Sequence, residues 1–219
     1  MLRNSLMRSR IVDIYTAIFP HYSVFLRKEL ADCRSILDLG CGVGSPAEPF
    51  SLGAYSVGVE LYLPSLLKCK KVGFYADLVH GDVTKVQFKP KFFGCVICSD
   101  LIEHLTKGEG LALIKKMEEI AVEKVLIITP NGFNKKEYFE DGNSLQMHKS
   151  GWTVEEFRAL GYEVKGALGL KVLRGEREAI RFRPWALWEL VSDLTQKVTF
   201  SYPQYAYHIL CVKKLKKAS

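Results

Sequence analysis

The sequence predicts an α/β domain: a mostly parallel, doubly wound sheet with helices on both faces. Three observations carry this. Short apolar runs alternate with segments of helical period along the whole chain, the rhythm of βαβ units. Most of these runs are apolar throughout instead of alternating, as strands covered on both faces are. The first of them, ILDLGCGVG at residues 36–44, passes directly from aliphatic residues into a glycine turn, the form of a buried strand that ends at a ligand.

Taken in order, residues 9–30 place Ile11, Ile14, Tyr15, Ile18, Tyr22, Phe25 and Leu26 at helical spacing, with Pro20 dividing the helix. Residues 1–30 are expected to form an N-terminal helical lid. Strand 35–39 runs into the glycine turn, Pro46 opens a helix to residue 52, and Gly53 stops it. Strand 55–61, helix 64–71, strand 76–81 and strand 94–99 follow. Leu111, Ile114, Met117 and Ala121 mark a helix over 108–122, and Pro130 and Asn131 end a buried strand over 125–129. A helix over 153–160 precedes a strand from 162. Residues 171–203 read as a helical insertion, with a charged stretch over 174–183 and an aromatic helix around Trp185 and Trp188. The final strand is expected over 205–212. Nothing marks a linker, so residues 1–219 read as one domain.

Composition narrows the function classes. Hydrophobic residues are 48% and charged residues 25% of 219, a globular balance that argues against disorder. No run of about 18 apolar residues suggests a membrane span, and MLRNSLMRSR lacks the apolar core of a leader. A cytoplasmic protein with reduced thiols and no membrane partner is expected. The six cysteines include Cys95-x-x-Cys98, which sits in a strand-like run without a second pair and does not read as a zinc or redox motif. The net charge of +7 permits an RNA partner without demanding one. The lysines at 213, 214, 216 and 217 read as a solvated tail.

The glycine turn distinguishes two nucleotide-type cofactors. Dinucleotide sites use GxGxxG, but the sixth position from Gly40 is Ser45. The glycines instead alternate from Asp38 as DxGxGxG, and an acid there repels a pyrophosphate and suits a ligand bearing an amino group. With Asp38, Gly40, Gly42 and Gly44, Glu60 at the end of the second strand and Gly81-Asp82-Val83 after the third, the sequence resembles the class I S-adenosylmethionine-dependent methyltransferases over about residues 35–132. The resemblance implies a Rossmann-like seven-stranded sheet with the last strand antiparallel, and S-adenosyl-L-methionine as cofactor. It implies that the Asp38–Gly44 loop, Cys41 included by its backbone, wraps the methionine part. Glu60, with Leu61 beside it, would take the ribose hydroxyls, a two-acceptor task suited to a carboxylate. Asp82 and Val83 would meet the adenine, and Ser99 and Asp100 would line the cofactor.

Methyl transfer demands alignment and dryness more than a base. Glu103 and His104 are the catalytic candidates, and Tyr22 and His148 the candidate substrate contacts. Tyr15, Phe19, His21, Phe133, Trp185 and Trp188 are further residues that could touch an acceptor, and Arg174, Arg177, Arg181 and Arg183 a positive run that could hold an anionic one. A small-molecule acceptor without a metal is expected. The alternative is an RNA: Asp100, Glu103, His104 and His148 are divalent-metal ligand types, and with Thr129-Pro130-Asn131 they resemble the small-RNA 3′-terminal 2′-O-methyltransferases. Those carry glutamate where Asp100 stands. A non-catalytic cofactor-binding homologue is the third reading.

Overall fold

The computed structural model describes residues 22–43, 53–134, 143–175 and 178–215. Gly44, the helix expected over 46–52, the lid residues before Tyr22, Arg177, Lys216 and Lys217 lie outside them. Seven strands form one sheet in the order β3-β2-β1-β4-β5-β7-β6. They are β1 (Ser35–Leu39), β2 (Tyr55–Glu60), β3 (Asp77–His80), β4 (Phe93–Ser99), β5 (Ala121–Pro130), β6 (Glu163–Leu170) and β7 (Ala206–Lys214). Strand β7 runs antiparallel to both β5 and β6, while the pairs among β1 to β5 are parallel. The sheet is the one expected, mostly parallel with its last strand reversed.

Helices α1 (Tyr22–Leu30), α2 (Leu63–Val72), α3 (Lys107–Ile120), α4 (Val154–Ala159) and α5 (Trp185–Ser201) accompany it. Local chemistry sets their ends. Thr106 with Glu109, and Thr153 with Glu156, close capping boxes at the starts of α3 and α4, each such cap contributing about 1 kcal/mol. Gly73, at φ 76°, stops α2 by taking the left-handed conformation.

Strand alternation splits the core between the two faces. Leu37, Leu39, Val96, Cys98 and Ile127 pack with Met117 and Trp152 on one face. Ile36, Cys95, Ile97 and Leu126 pack with Leu26 and Leu30 on the other. Cys95 and Cys98 therefore point to opposite faces, which removes any joint role for the CxxC pair. Contrary to the expectation of six reduced thiols, Cys33 and Cys95 form a disulfide with Cα atoms 6.1 Å apart; the other four cysteines are buried. Strand β5 begins at Ala121, earlier than expected, because Ala121 and Lys124 find parallel partners in Phe93 and Cys95 of β4.

Candidate active site

Strand order reverses between β1 and β4, since β2 and β3 lie on one side of β1 and every later strand on the other. At such a switch point the carboxyl ends of the strands part and leave a crevice. A cleft of about 290 Å³ opens there, lined by Gly40, Gly42, Glu60, Leu61, Asp82, Val83, Asp100, Leu101, His104 and Lys149, among others.

The glycine turn reaches the cleft because glycine permits what an L side chain resists. Gly40 and Gly42 have φ of 78° and 56°, and a Cβ on Gly40 would lie 3.0 Å from the side chain of Leu101. Glu60 holds this turn from the neighbouring strand. Its Oε2 accepts from the Gly42 amide at 2.9 Å and its Oε1 from the Tyr62 amide at 2.7 Å. Asp82 is fixed in the same manner, its Oδ1 accepting from the amide (2.9 Å) and hydroxyl (2.7 Å) of Thr84. Burial works to raise the Asp82 pKa, but these bonds and Lys85 outweigh it and hold the carboxyl below its ordinary value. Lys116 reaches over from α3 and donates to the Val83 carbonyl at 3.0 Å, tying down the loop.

The remaining expected cofactor residues are placed differently. Asp38 is fully buried and accepts a 2.6 Å bond from the Tyr75 hydroxyl. Cys41 is buried, and burial with the charge of Asp38 pushes its thiol far above the ordinary range; its side chain is no nucleophile at neutral pH. Ser99 is buried and its hydroxyl donates to Asp100. Gly44 is outside the described residues, and the side chain of Tyr22 is likewise not described.

Asp100 sits at φ 49° at the end of β4 and is aimed at β7. His208 Nε2 donates to its Oδ1 at 2.9 Å. Glu178 Oε1 lies 3.6 Å from the same nitrogen. Burial opposes a charged imidazole, yet the bond to and charge of Asp100, with Glu178 and Glu103, raise the His208 pKa overall. The same pairing lowers that of Asp100 against its own burial. Asp100 keeps 48% of its side chain exposed to the cleft, whereas His208 keeps 5%.

Two residues further along this loop, a turn of 3-10 helix over Ile102–His104 buries Glu103, whose Oε2 accepts from the Thr129 hydroxyl at 2.9 Å. Burial, followed by the charge of Asp100, pushes its carboxyl up to about 8, so Glu103 retains its proton at neutral pH. The Glu103 carbonyl accepts from the amides of Lys149 and Ser150, which draws the 143–150 segment against the cleft. His104 and His148 thereby come together, with ring centroids 4.9 Å apart. Ligand atoms of Glu103, His104 and His148 lie within 4.8 Å of one another. Each histidine bonds a backbone carbonyl through Nδ1, His104 that of Met147 and His148 that of Asn134. A carbonyl only accepts, so in both rings Nδ1 carries hydrogen.

The other acceptor candidates scatter. Phe133 and Trp185 are exposed, and Trp188 is half-buried. Arg174 is buried, and its guanidinium donates to the Leu168 and Glu178 carbonyls and to Ser192; it braces the insertion and is not part of an anion site. Sequence reasoning missed His208 and Glu178. A histidine inside the apolar run AYHILCV of the last strand was the available signal; it lies opposite Pro130, at the cleft end of β5.

Because the folded pKa of His208 is raised above 6.5, its stabilising pairing is complete below the unfolded value and is lost as pH rises through the folded one. Thermal melts of wild type and His208→Gln should therefore show a wild-type margin that narrows as pH rises above the ordinary histidine range. A margin independent of pH would contradict the ion pair.

A methyltransferase-domain family model matches residues 37–123, the part of the chain that runs from β1 through the cleft to the start of β5. No curated protein matches the chain. Among solved structures, an S-adenosylmethionine-dependent methyltransferase from Archaeoglobus fulgidus is similar at TM-score 0.55 and 16% identity, over 93% of this chain and 99% of that one. The methyltransferase domain of bacterial CtHen1-C gives 0.54 and 17%, over 89% and 97%. Magnesium protoporphyrin IX methyltransferase from Synechocystis PCC 6803, solved with bound cofactor, gives 0.51 and 14%, over 89% and 78%. The matched segment and the sheet around it resemble those of S-adenosylmethionine-dependent methyltransferases. The cofactor that such a domain implies is S-adenosyl-L-methionine.

The cleft fits that cofactor. Leu61, Val83, Leu101 and Leu105 offer apolar walls for a flat base, carboxylates stand at positions 60 and 82, and a glycine turn admits close approach.

Proposed function

We propose that this protein transfers a methyl group from S-adenosyl-L-methionine to a small-molecule acceptor presented at the Asp100–His104 side of the cleft. The observation that carries the reading is the continuity of the cleft. The same walls that hold Gly40, Glu60 and Asp82 run on to Asp100, Leu101 and His104, so a donor and an acceptor can share one enclosure. The bound cofactor supplies an electrophilic methyl on a sulfonium. The chain's residues do the rest: Glu60 and Asp82 bind, the glycine turn orients, and the leucines at 101 and 105 exclude water. His104 lines the acceptor side of the cleft as the candidate proton acceptor, while Glu103, protonated near neutrality, holds the loop through Thr129. The test is incubation with labelled cofactor and fractionated metabolites or RNA, followed by mass spectrometry. A methylated metabolite supports the reading, and methylation confined to RNA overturns the acceptor class.

A second reading is favoured by one specific observation, the convergence of Glu103, His104 and His148. Histidine ligands characteristically donate their second nitrogen to a carbonyl or carboxylate, as both do here. Asp100 is turned toward His208, so the four-ligand set anticipated in the sequence becomes three. A divalent cation at these residues would polarise an acceptor hydroxyl, as transfer to a ribose 2′-oxygen requires. Titrating manganese or magnesium by calorimetry distinguishes the readings. Metal-dependent binding lost at least tenfold in His148→Ala supports the metal-assisted route; activity unchanged by a chelator removes it.

A further inference from the structure

Helix α5 is built inside out. Ser192, Gln196 and Thr199 face the protein and are buried. Gln196 accepts from the Gly169 amide and donates to the Gly166 carbonyl, and Thr199 donates its hydroxyl to the Thr195 and Gln196 carbonyls of its own helix. Leu187, Leu190, Leu194 and Val198, spaced three, four and four residues apart, form the opposite stripe and are 53%, 49%, 57% and 55% exposed. An amphipathic helix ordinarily does the reverse, and an apolar face left in water marks a surface that meets something else.

The surroundings indicate what. Phe182 and Trp185 before the stripe and Tyr202 and Tyr205 after it are also exposed, so that Trp185 at one end and the two tyrosines at the other give aromatic rings with polar tips, as at a bilayer interface. Arg181, Arg183 and Lys197 are exposed in the same segment, with Arg183 stacked on the Trp185 ring, in a chain of net charge +7. Glu189 is exposed on a flank of the helix and Asp193 is half-buried, so the stripe itself carries no acid. The helix runs antiparallel to β6, with Ser192 against Gly169 and Thr199 against Gly166. Its first two turns therefore extend past the end of β6, at the sheet edge where the cleft opens.

From these observations we infer that the outward face of α5 docks this protein on an anionic lipid surface. Leucines enter the acyl boundary, the aromatic residues sit at headgroup level, and the arginines and Lys197 meet lipid phosphates. This is peripheral seating, since no described helix is long and apolar enough to cross a membrane. It stands independently of which acceptor the cleft takes.

The chain's three tryptophans make the test direct, because Trp152 is fully buried while Trp185 is 58% exposed. The full chain would be mixed with phosphatidylcholine vesicles, and with vesicles containing phosphatidylglycerol, at low and high salt. Flotation with anionic vesicles, weakened by salt and accompanied by a blue shift of tryptophan emission, is expected. The triple variant Leu187→Asp, Leu190→Asp, Leu194→Asp should lose at least tenfold in partitioning while binding S-adenosylhomocysteine as before. Leu67→Asp, 52% exposed on α2, should change neither. Failure of the wild type to float, or equal flotation of the triple variant, overturns the inference. So does light scattering that shows a dimer dissolved by the triple variant, which would make a second copy the occupant. Tryptophan emission already blue-shifted without vesicles, and red-shifted on removing residues 1–21, would assign the stripe to the chain's own N-terminal segment and overturn it equally.

Discussion

Replacing Glu60 by alanine is expected to weaken S-adenosylhomocysteine binding by about 10- to 100-fold, read by calorimetry. The carboxylate accepts from two backbone amides, those of Gly42 and Tyr62. Bonds to a charged acceptor contribute about 1.5–3 kcal/mol each, and water replaces part of that at a half-buried site. Without Glu60 the glycine turn loses the anchor that keeps Gly42 at φ 56°, and the cofactor must bear the cost of ordering it. Any direct contact with the ribose would be lost in addition. Glu60→Gln, which keeps one acceptor oxygen, should fall between alanine and wild type. Binding of wild-type strength in the alanine variant would mean that the turn is held by other means and that position 60 is not a cofactor site.

Gly166→Val should be the most damaging single change to the fold. A Cβ at this position would lie 2.1 Å from the Thr199 carbonyl oxygen, on the backbone of α5, and 2.6 Å from the Ala206 side chain. Neither can yield by a rotamer change, so helix and strand must separate. Overpacking of this kind costs about 3 kcal/mol, which for a domain of this size lowers Tm by roughly 6–12 °C. The hydrogen bonds of Gln196 across the same contact would be strained with it. Gly175→Ala, whose Cβ would meet the flexible Arg181 side chain at 3.3 Å and the Ala179 carbonyl at an ordinary 3.9 Å, should cost far less. Equal melting temperatures for Gly166→Val and wild type would show that α5 does not pack as described.

Much of this was legible in the residues. The strands β1, β2, β4 and β5 were anticipated to within a few residues because each is an apolar run bounded by glycine, proline or a charged turn. Glu60 and Asp82 were read correctly as strand-end acids, and both line the cleft. The order of elements together with the handedness of crossovers then left little freedom in the sheet. Asp38 was harder, since an acid in a strand looks the same whether it points to a ligand or, as here, to a buried tyrosine 37 residues on. Arg174 looked like part of a positive surface, and only the path of the chain around it shows a guanidinium consumed by carbonyls. Trp185 and Trp188 looked like acceptor or core residues, because helical period cannot tell which face of a helix the rest of the molecule will cover.

By itself the sequence determined the parallel sheet, the glycine turn and the acids at the strand ends. Each rests on local signals: a two-residue or 3.6-residue period, a residue able to adopt positive φ, an acid at a strand end. The tertiary structure alone decided that Asp100 meets His208, 108 residues away, that Glu103 lies where water cannot keep it ionised, and that α5 turns its leucines outward. Those outcomes depend on β7 inserting antiparallel between β5 and β6, and no local pattern encodes which distant side chains such a pairing brings within 3 Å.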